Sequence, residues 1–241
     1  MAGFQTSINI QPAPAVEGDF ASANVRLSVL ATQGTLTAGA AGVTVGRFAW
    51  ADVNGVVLNS GQGMPSGFVH REMQALITVW LGAQSMVIPQ GLMVTLLNEG
   101  DFWVKNTVNT TSITNPRQKA FASLLDGSVQ FGAAGATVSG NAITASFATN
   151  VMTVTVTAGT ILVGQLVTSA GVAAGTYITG QTSGTAGSTG TYTLSTTPGT
   201  ITSQAATSTS YIETNFALGG LSSGGVGAVG ELVKITTGGK Q

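Results

Sequence analysis

The sequence predicts an all-β protein: a jelly-roll-like β-sandwich host carrying a small inserted Thr/Gly-rich β module. Three observations predict it. Short apolar runs are separated by Gly, Asn-Gly and Asp-Gly turn signals along much of the chain. Threonine alternates with apolar residues between Ile143 and Thr157, the period-2 signature of half-buried strands. The 8 basic and 9 acidic side chains are unevenly placed, with none between Asp126 and Glu213. That break in composition divides the chain into an extended arm (1–24), a discontinuous host (25–135 and 211–241) and an inserted module (136–210).

The arm rests on Pro12 and Pro14. Each ring fixes its own φ and pushes the preceding residue out of the α region, so the stretch reads as extended. The first strand signal is Val25 to Leu30. Val43, Val45 and Phe48 then lead to Trp50 and Val53. Asn54-Gly55 precedes Val56 to Leu58, a hairpin signal whose tightest form needs positive φ at both turn residues. Gly61, Gly63, Pro65 and Gly67 mark a loop. Phe68 to Leu81 carries two patterns. Met73, Leu76, Ile77 and Trp80 fit a helical stripe, while Ile77 to Trp80 favours a strand with an irregular start. Met86 to Ile88, Leu92 to Leu97 and Phe102 to Val104 are short strands. Ala120 to Leu125 and Ser128 to Phe131 form a hairpin across Asp126-Gly127.

In the module, strands are expected at Ile143 to Ala148, Val151 to Thr157, Ile161 to Thr168, Thr176 to Thr179, Thr191 to Ser195 and Ile201 to Ser203. Turns fall at Ala158-Gly159, Ala173 to Gly175 and Gly180 to Gly190. Threonine is β-branched and keeps an outer face wet without charge. The host resumes at Thr214 to Leu218 and ends with Leu232 to Ile235. Many short strands with regular turns indicate a sandwich or jelly roll.

Composition excludes several functions. Charged residues make up 7% of the 241 residues, against roughly 25% in an ordinary domain. There is no cysteine, hence no disulfide framework, zinc finger or thiol nucleophile. His70 is the one histidine, which rules out a multi-histidine metal site. A formal net charge of −1 argues against nucleic acid as a partner. The longest strongly apolar stretch, Ala75 to Ala83, falls far short of the ~18 residues that span a membrane. The N-terminal MAGFQTSINI lacks the features of a secretion signal, so synthesis in the cytoplasm is expected. Near-zero net charge favours association, as in a subunit of something larger.

No motif carries catalysis. Gly220-Leu221-Ser222-Ser223-Gly224 matches G-x-S-x-G, but a Gly/Ser loop follows where a helix is required, and the histidine lies far upstream. His70 has no identifiable third partner for base chemistry. Glu99 and Asp101 read as a turn ahead of the Phe102-Trp103 strand rather than as a paired-carboxylate site. Gly61 to Gly67 lacks the Lys-Ser/Thr pair of a phosphate loop. Trp50, Trp80 and Trp103 read as core anchors. Tyr177 and Tyr192 read as packing residues, with sugar stacking as the alternative.

Several ordered segments carry a resemblance. PAPAVEGDFAS (Pro12 to Ser22), GVTVGRFAW (Gly42 to Trp50), SGFVHREMQALITVWLGAQSMVIPQG (Ser66 to Gly91), GDFWVKN (Gly100 to Asn106) and GELVKI (Gly230 to Ile235) resemble the structural cement proteins that decorate podovirus-type bacteriophage capsids. The match covers about residues 4–130 and 211–236. It implies a jelly-roll-like domain that dimerises on the capsid's outer surface and bridges neighbouring major capsid proteins, with an arm reaching over a neighbour. The family brings no catalytic, cofactor-binding or metal residues. The interface candidates it suggests are Pro12, Pro14, Phe20, His70, Arg71, Glu72 and Trp103. The module departs from the compact family pattern. Its GTAGSTGTYTLS (Gly184 to Ser195) resembles small β modules of phage virion and tail proteins, which leaves a host-surface glycan as an alternative partner.

Overall fold

The computed structural model describes residues 15–72, 85–107, 117–221 and 226–238, and among them there is no helix. Thirteen strands build the host. They are β1 (Leu27–Ser28), β2 (Thr37–Ala38), β3 (Val43–Thr44), β4 (Phe48–Ala51), β5 (Val56–Leu58), β6 (Gly67–Val69), β7 (Val87–Ile88), β8 (Leu96–Glu99), β9 (Asp101–Lys105), β10 (Lys119–Ser123), β11 (Val129–Gly132), β18 (Tyr211–Leu221) and β19 (Leu232–Thr236). One sheet runs β1-β8-β6-β4-β5-β2, a second runs β11-β10-β18-β19-β9, and β3 pairs with β7. The fold is all-β and sandwich-like.

Side-chain alternation explains why the first sheet is buried on both faces. Successive strand residues point to opposite sides. Phe48, Trp50, Phe68 and Leu97 face the second sheet. Their neighbours Ala49, Val69 and Leu96 face a separate core with Val43, Val45, Val57 and Ile88. The first sheet curls around that second core. Ala38 N donates to Leu92 O (2.9 Å) and Val94 N to Leu36 O (3.0 Å), so β2 returns onto the residues leading into β8. Between the two sheets, Phe48 and Phe68 of the first meet Phe102 and Phe216 of the second, with ring centroids 4.7–6.5 Å apart and tilted or edge-on. Such pairs add to the burial of their area.

A third sheet is built from β12 (Asn141–Ala148), β13 (Val151–Ala158), β14 (Leu166–Thr168), β15 (Ile178–Gly184), β16 (Gly190–Leu194) and β17 (Ile201–Thr209), in the order β14-β17-β12-β13-β16-β15. Ile143, Ala145, Phe147, Met152 and Val154 point into its own core, with Ile178, Tyr192 and Leu194. Ser210 alone separates β17 from β18, and its carbonyl accepts from Leu124 N at 2.7 Å. Gln165 Nε2 to Ser210 Oγ (3.1 Å), Thr209 Oγ1 to Val138 O (2.7 Å) and Ser139 Oγ to Gln130 Oε1 (2.8 Å) fasten the same junction.

Several expectations are corrected. Gly55 (φ 80°) and Gly127 (φ 68°) adopt positive φ, but Asn54 and Asp126 do not. The hairpins therefore use wider turns. In the first, Asp52 Oδ1 accepts from Asn54 N (2.9 Å) and Val56 N (2.8 Å), a side chain replacing the second left-handed residue. The Val25 to Leu30 strand shrinks to two residues. Leu92 to Leu97 becomes a strand only from Leu96. Ile161 to Thr168 forms a strand only from Leu166, because Ile161 to Gln165 fold into a turn held by Gln165 N to Leu162 O (3.3 Å). Gly180 to Gly184, read as a turn, continues β15 because it pairs with β16. β17 and β18 extend well beyond the residues expected, because backbone pairing continues past their apolar centres. The strand expected over Phe68 to Leu81 is seen at its start, in β6; residues 73–84 lie outside the described residues.

Candidate interface site

Four of the residues singled out from sequence converge at one sheet edge: Phe20, His70, Arg71 and Trp103. The edge is β9, the outer strand of the second sheet. Gly18 N donates to Trp103 O (2.8 Å), Trp103 N to Asp19 O (2.9 Å) and Ala21 N to Asp101 O (2.9 Å). Residues 18–21 thus cover β9, and Phe20 forms an antiparallel bridge with Phe102. Uncovered, that edge would offer unpaired main-chain groups to other chains. Glycine is required at 18. Its φ is +88°, and an added Cβ would lie 3.0 Å from Gly46 N and 3.1 Å from Arg71 Cβ. The segment read as an arm through residue 24 is therefore integrated into the host from Gly18 onward. Pro12 and Pro14 lie outside the described residues.

The Phe20 ring is held in a stack. His70 lies 3.9 Å away at 17° between planes, and the Arg26 guanidinium lies 3.8 Å from the ring centroid. Two planar groups at that spacing require opposite faces of one ring, so Phe20 is sandwiched. Arg71 pairs with Asp19 at 3.3 Å, and its backbone N donates to Gly18 O at 3.1 Å. Asp101 Oδ2 accepts from Ser22 Oγ and Asn24 Nδ2, each at 2.6 Å, which pins the chain leaving Phe20. Trp103 is buried, with the Lys234 ammonium 4.8 Å from its ring centroid. Glu72 lines a groove with Ser28, Leu36 and Met93, and its charge still reaches His70.

Electrostatics follow from this packing. Burial lowers the His70 pKa from its ordinary 6.5; Glu72 and Asp19 oppose the shift, while Arg26 and Arg71 add to it. The shift favours the uncharged form of the ring stacked on Phe20. Burial raises Glu17 above its usual 4.5, against the pull of Arg47 and Lys105. For Asp101, burial acts upward, but hydrogen bonds from Ser22, Thr236 and Asn24 outweigh it and hold the carboxyl below 3.8.

The other motifs resolve into structure. Asp101 spends its oxygens on Ser22, Asn24 and Thr236, and Gly100 between it and Glu99 has φ +139°. The two carboxylates thus flank a turn, as read. Tyr192 is buried and its hydroxyl donates to Ser188 O at 2.6 Å, so it offers no sugar platform. Trp50 Nε1 donates to Gly63 O at 3.0 Å and fixes the loop at Gly61 to Gly67. Ser222, Ser223 and Gly224 lie outside the described residues. Among the described residues, no group of three His, Asp or Glu side chains is placed to hold a metal ion. Sequence reasoning missed Asp19 and Arg26. Asp19 pairs with Arg71, far away in the chain, and Arg26 folds back over Phe20 across an irregular segment, and no local pattern marks such pairs.

A docked, hydrogen-bonded N-terminal segment and a largely uncharged β surface describe a protein built for packing. No curated protein matches the chain. A family model does, that of the XM1 gp53 minor capsid protein, over residues 4–158. With well over half of its length matched, this chain belongs to the XM1 gp53 minor capsid protein family of phage structural proteins.

Proposed function

We propose that this minor capsid protein decorates the outer surface of the capsid and cements it by bridging neighbouring major capsid proteins, acting by interface burial without catalysis. The observation that carries the reading is the fastening of residues 18–24 along β9. It anchors the chain at Gly18, and in this reading the residues before it engage a neighbouring subunit by strand addition. Stable contacts of this kind bury ~1,200–2,000 Å², and symmetry repeats them around the particle. Self-association as a homodimer belongs to the same reading, since a two-fold is the commonest closed symmetry.

The test is deletion of residues 2–14, which leaves Gly18 to Asn24 in place. The truncated protein is expected to fold and to load poorly onto capsids stripped of it. Full loading would refute the arm's role.

A second reading assigns residues 136–210 as a module with its own ligand, a host-surface glycan. One observation favours it. Ser146, Thr153, Thr191 and Ser183 stand in register across β12, β13, β16 and β15, an uncharged row of hydroxyls on the side away from the core. The full-length protein on a glycan array tests this. Binding lost on Thr153→Val and Thr191→Val supports it; an array with no hits refutes it.

A further inference from the structure

Asn54-Gly55 is the one Asn-Gly pair in the sequence, and the fold accounts for its glycine but not for its asparagine. Gly55 has φ +80°, and a Cβ there would lie 2.6 Å from Thr35 O. That close approach belongs to the seam between β2 and β5. Thr37 N donates to Gly55 O at 2.8 Å, and Thr37 stands beside Val56 in the parallel pairing. Asn54 is not left-handed, so the turn does not call for asparagine. Its side chain is exposed, and among the described residues its nearest polar partner is Asp52 Oδ2, 3.5 Å from Nδ2.

Other asparagines are held or crowded. Asn24 Nδ2 donates to Asp101 at 2.6 Å, Asn106 Nδ2 to Gly227 O at 2.7 Å and Asn141 Nδ2 to Thr160 O at 2.8 Å. Asn59 uses both ends of its amide, on Thr44 and Phe48. Asn98, Asn150 and Asn215 precede Glu99, Val151 and Phe216, whose side chains stand over the next main-chain nitrogen. Glycine leaves that nitrogen open to close approach.

We propose that Asn54 is a site of spontaneous covalent modification, a succinimide-forming deamidation with water as co-reactant, whose product loosens the β2–β5 seam. Gly55 N bonds to Asn54 Cγ as the Cγ–Nδ2 bond breaks. Nδ2 leaves as ammonia, taking up the Gly55 amide proton. Water then opens the five-membered imide. Opening at Cγ gives aspartate. Opening at the residue 54 main-chain carbonyl gives isoaspartate, in which the chain runs through Cγ and is longer by one carbon. The bond to be given up first is Gly55 N to Asp52 O, 3.1 Å long and within a surface turn. Such local openings cost little free energy. Isoaspartate displaces Gly55 O from Thr37 N, and either product sets a second carboxylate beside Asp52. The inference goes beyond the capsid role and does not rest on it.

The experiment ages the folded full-length protein at mildly alkaline pH, where the attacking amide loses its proton faster, beside a sample kept unfolded in urea. Tandem mass spectrometry locates amide-to-acid conversion, and an isoaspartate-specific methyltransferase detects the lengthened chain. In the folded protein Asn54 is expected to convert ~10-fold or more faster than Asn98, Asn150 or Asn215, because only its following nitrogen is uncrowded. Hydrogen exchange should show the Thr37 amide losing protection in the aged protein. Asn54→Ser keeps Gly55 and removes the reacting amide, so the aged variant should give no signal at residue 54 and keep Thr37 protected. Conversion confined to the unfolded sample, or no faster at Asn54 than at Asn98, would overturn the proposed site. Conversion that leaves Thr37 as protected as in Asn54→Ser would overturn its effect on the seam.

Discussion

Phe20→Ala tests whether the N-terminal segment is part of the fold or merely rests on it. The ring is partly buried against the sandwich core, stacked on His70, tilted against Phe102 at 5.7 Å and covered by Arg26. Full burial of a phenylalanine is worth ~3–5 kcal/mol on truncation to alanine. Partial exposure takes this toward the lower end, and the stacking and cation contacts return some of it. The expected loss is ~2–4 kcal/mol, or roughly 4–16 °C in Tm for a chain of this size. Urea unfolding followed by tryptophan fluorescence reads it cleanly, because Trp50 and Trp103 sit in the host core and residues 136–210 contain no tryptophan. Phe20→Leu should recover about half, since it restores apolar volume but not the stack. The His70 pKa should rise toward its ordinary value in Phe20→Ala, as water replaces the ring that buries it; an NMR titration of the single histidine reports this. A loss under ~1 kcal/mol with an unmoved His70 would refute the account.

Two further outcomes follow from the turn at Asp126-Gly127. Burial pushes the Asp126 carboxyl up, but hydrogen bonds from Ser123 and Ser128 and the Arg47 guanidinium at 2.8 Å hold it below 3.8. Its folded value lies below its unfolded one, so the stability it adds is complete above pH ~4 and is lost as pH falls through the folded value. Asp126→Asn should cost ~1 kcal/mol at neutral pH, discounted because the pair is partly exposed, and should flatten the acid limb of a stability–pH curve; an unchanged limb would contradict the assignment. Gly127→Ala should cost at least ~2 kcal/mol in urea unfolding, since it combines left-handed strain with a Cβ driven into the Phe48 carbonyl oxygen. Gly63→Ala, at φ +69° but in open space, should cost only ~1 kcal/mol. Equal losses would show that the close approach to β4 carries no weight.

The parts of the fold legible in the sequence are those governed by local pattern. Thr144, Ser146 and Thr153 alternate with Ile143, Ala145, Phe147, Met152 and Val154, and this alternation sets which face is buried. Gly55 and Gly127 mark both hairpins, because each turn has one position that a side chain resists. The missing parts depend on distant partners. In this region the sequence marks a strand only at Val25 to Leu30, because the pairing of residues 27–38 is interrupted by the loop at 30–35, and periodicity does not survive such an interruption. Within the candidate site, Phe20 and His70 stack, Arg71 pairs with the adjoining Asp19, and Trp103 joins them through its main chain. What joins them is main-chain bonding from Gly18, Asp19 and Ala21, and main-chain groups leave no mark on composition. Glu72 adjoins His70 in the sequence and acts on its charge, and it also lines the groove with Ser28, Leu36 and Met93.

The family match ends at Ala158, the last residue of β13, and the physical unit does not end there. β12 is bonded to β13 on one side and to β17 on the other. A chain stopping at 158 would leave an open edge on β12. It would also lose β18 and β19, the central strand of the second sheet and its neighbour, together with Phe216, Val233 and Ile235 from the sandwich core. Residues 159–236 therefore complete two sheets at once. β17 closes the third sheet, and one residue later β18 closes the sandwich. Because the two strands form nearly one run, pinned by Gln165, Thr209 and Ser139, the third sheet is held by strand continuity rather than by a flexible linker. Anything bound along its hydroxyl row would be held at a fixed orientation to the β9 edge.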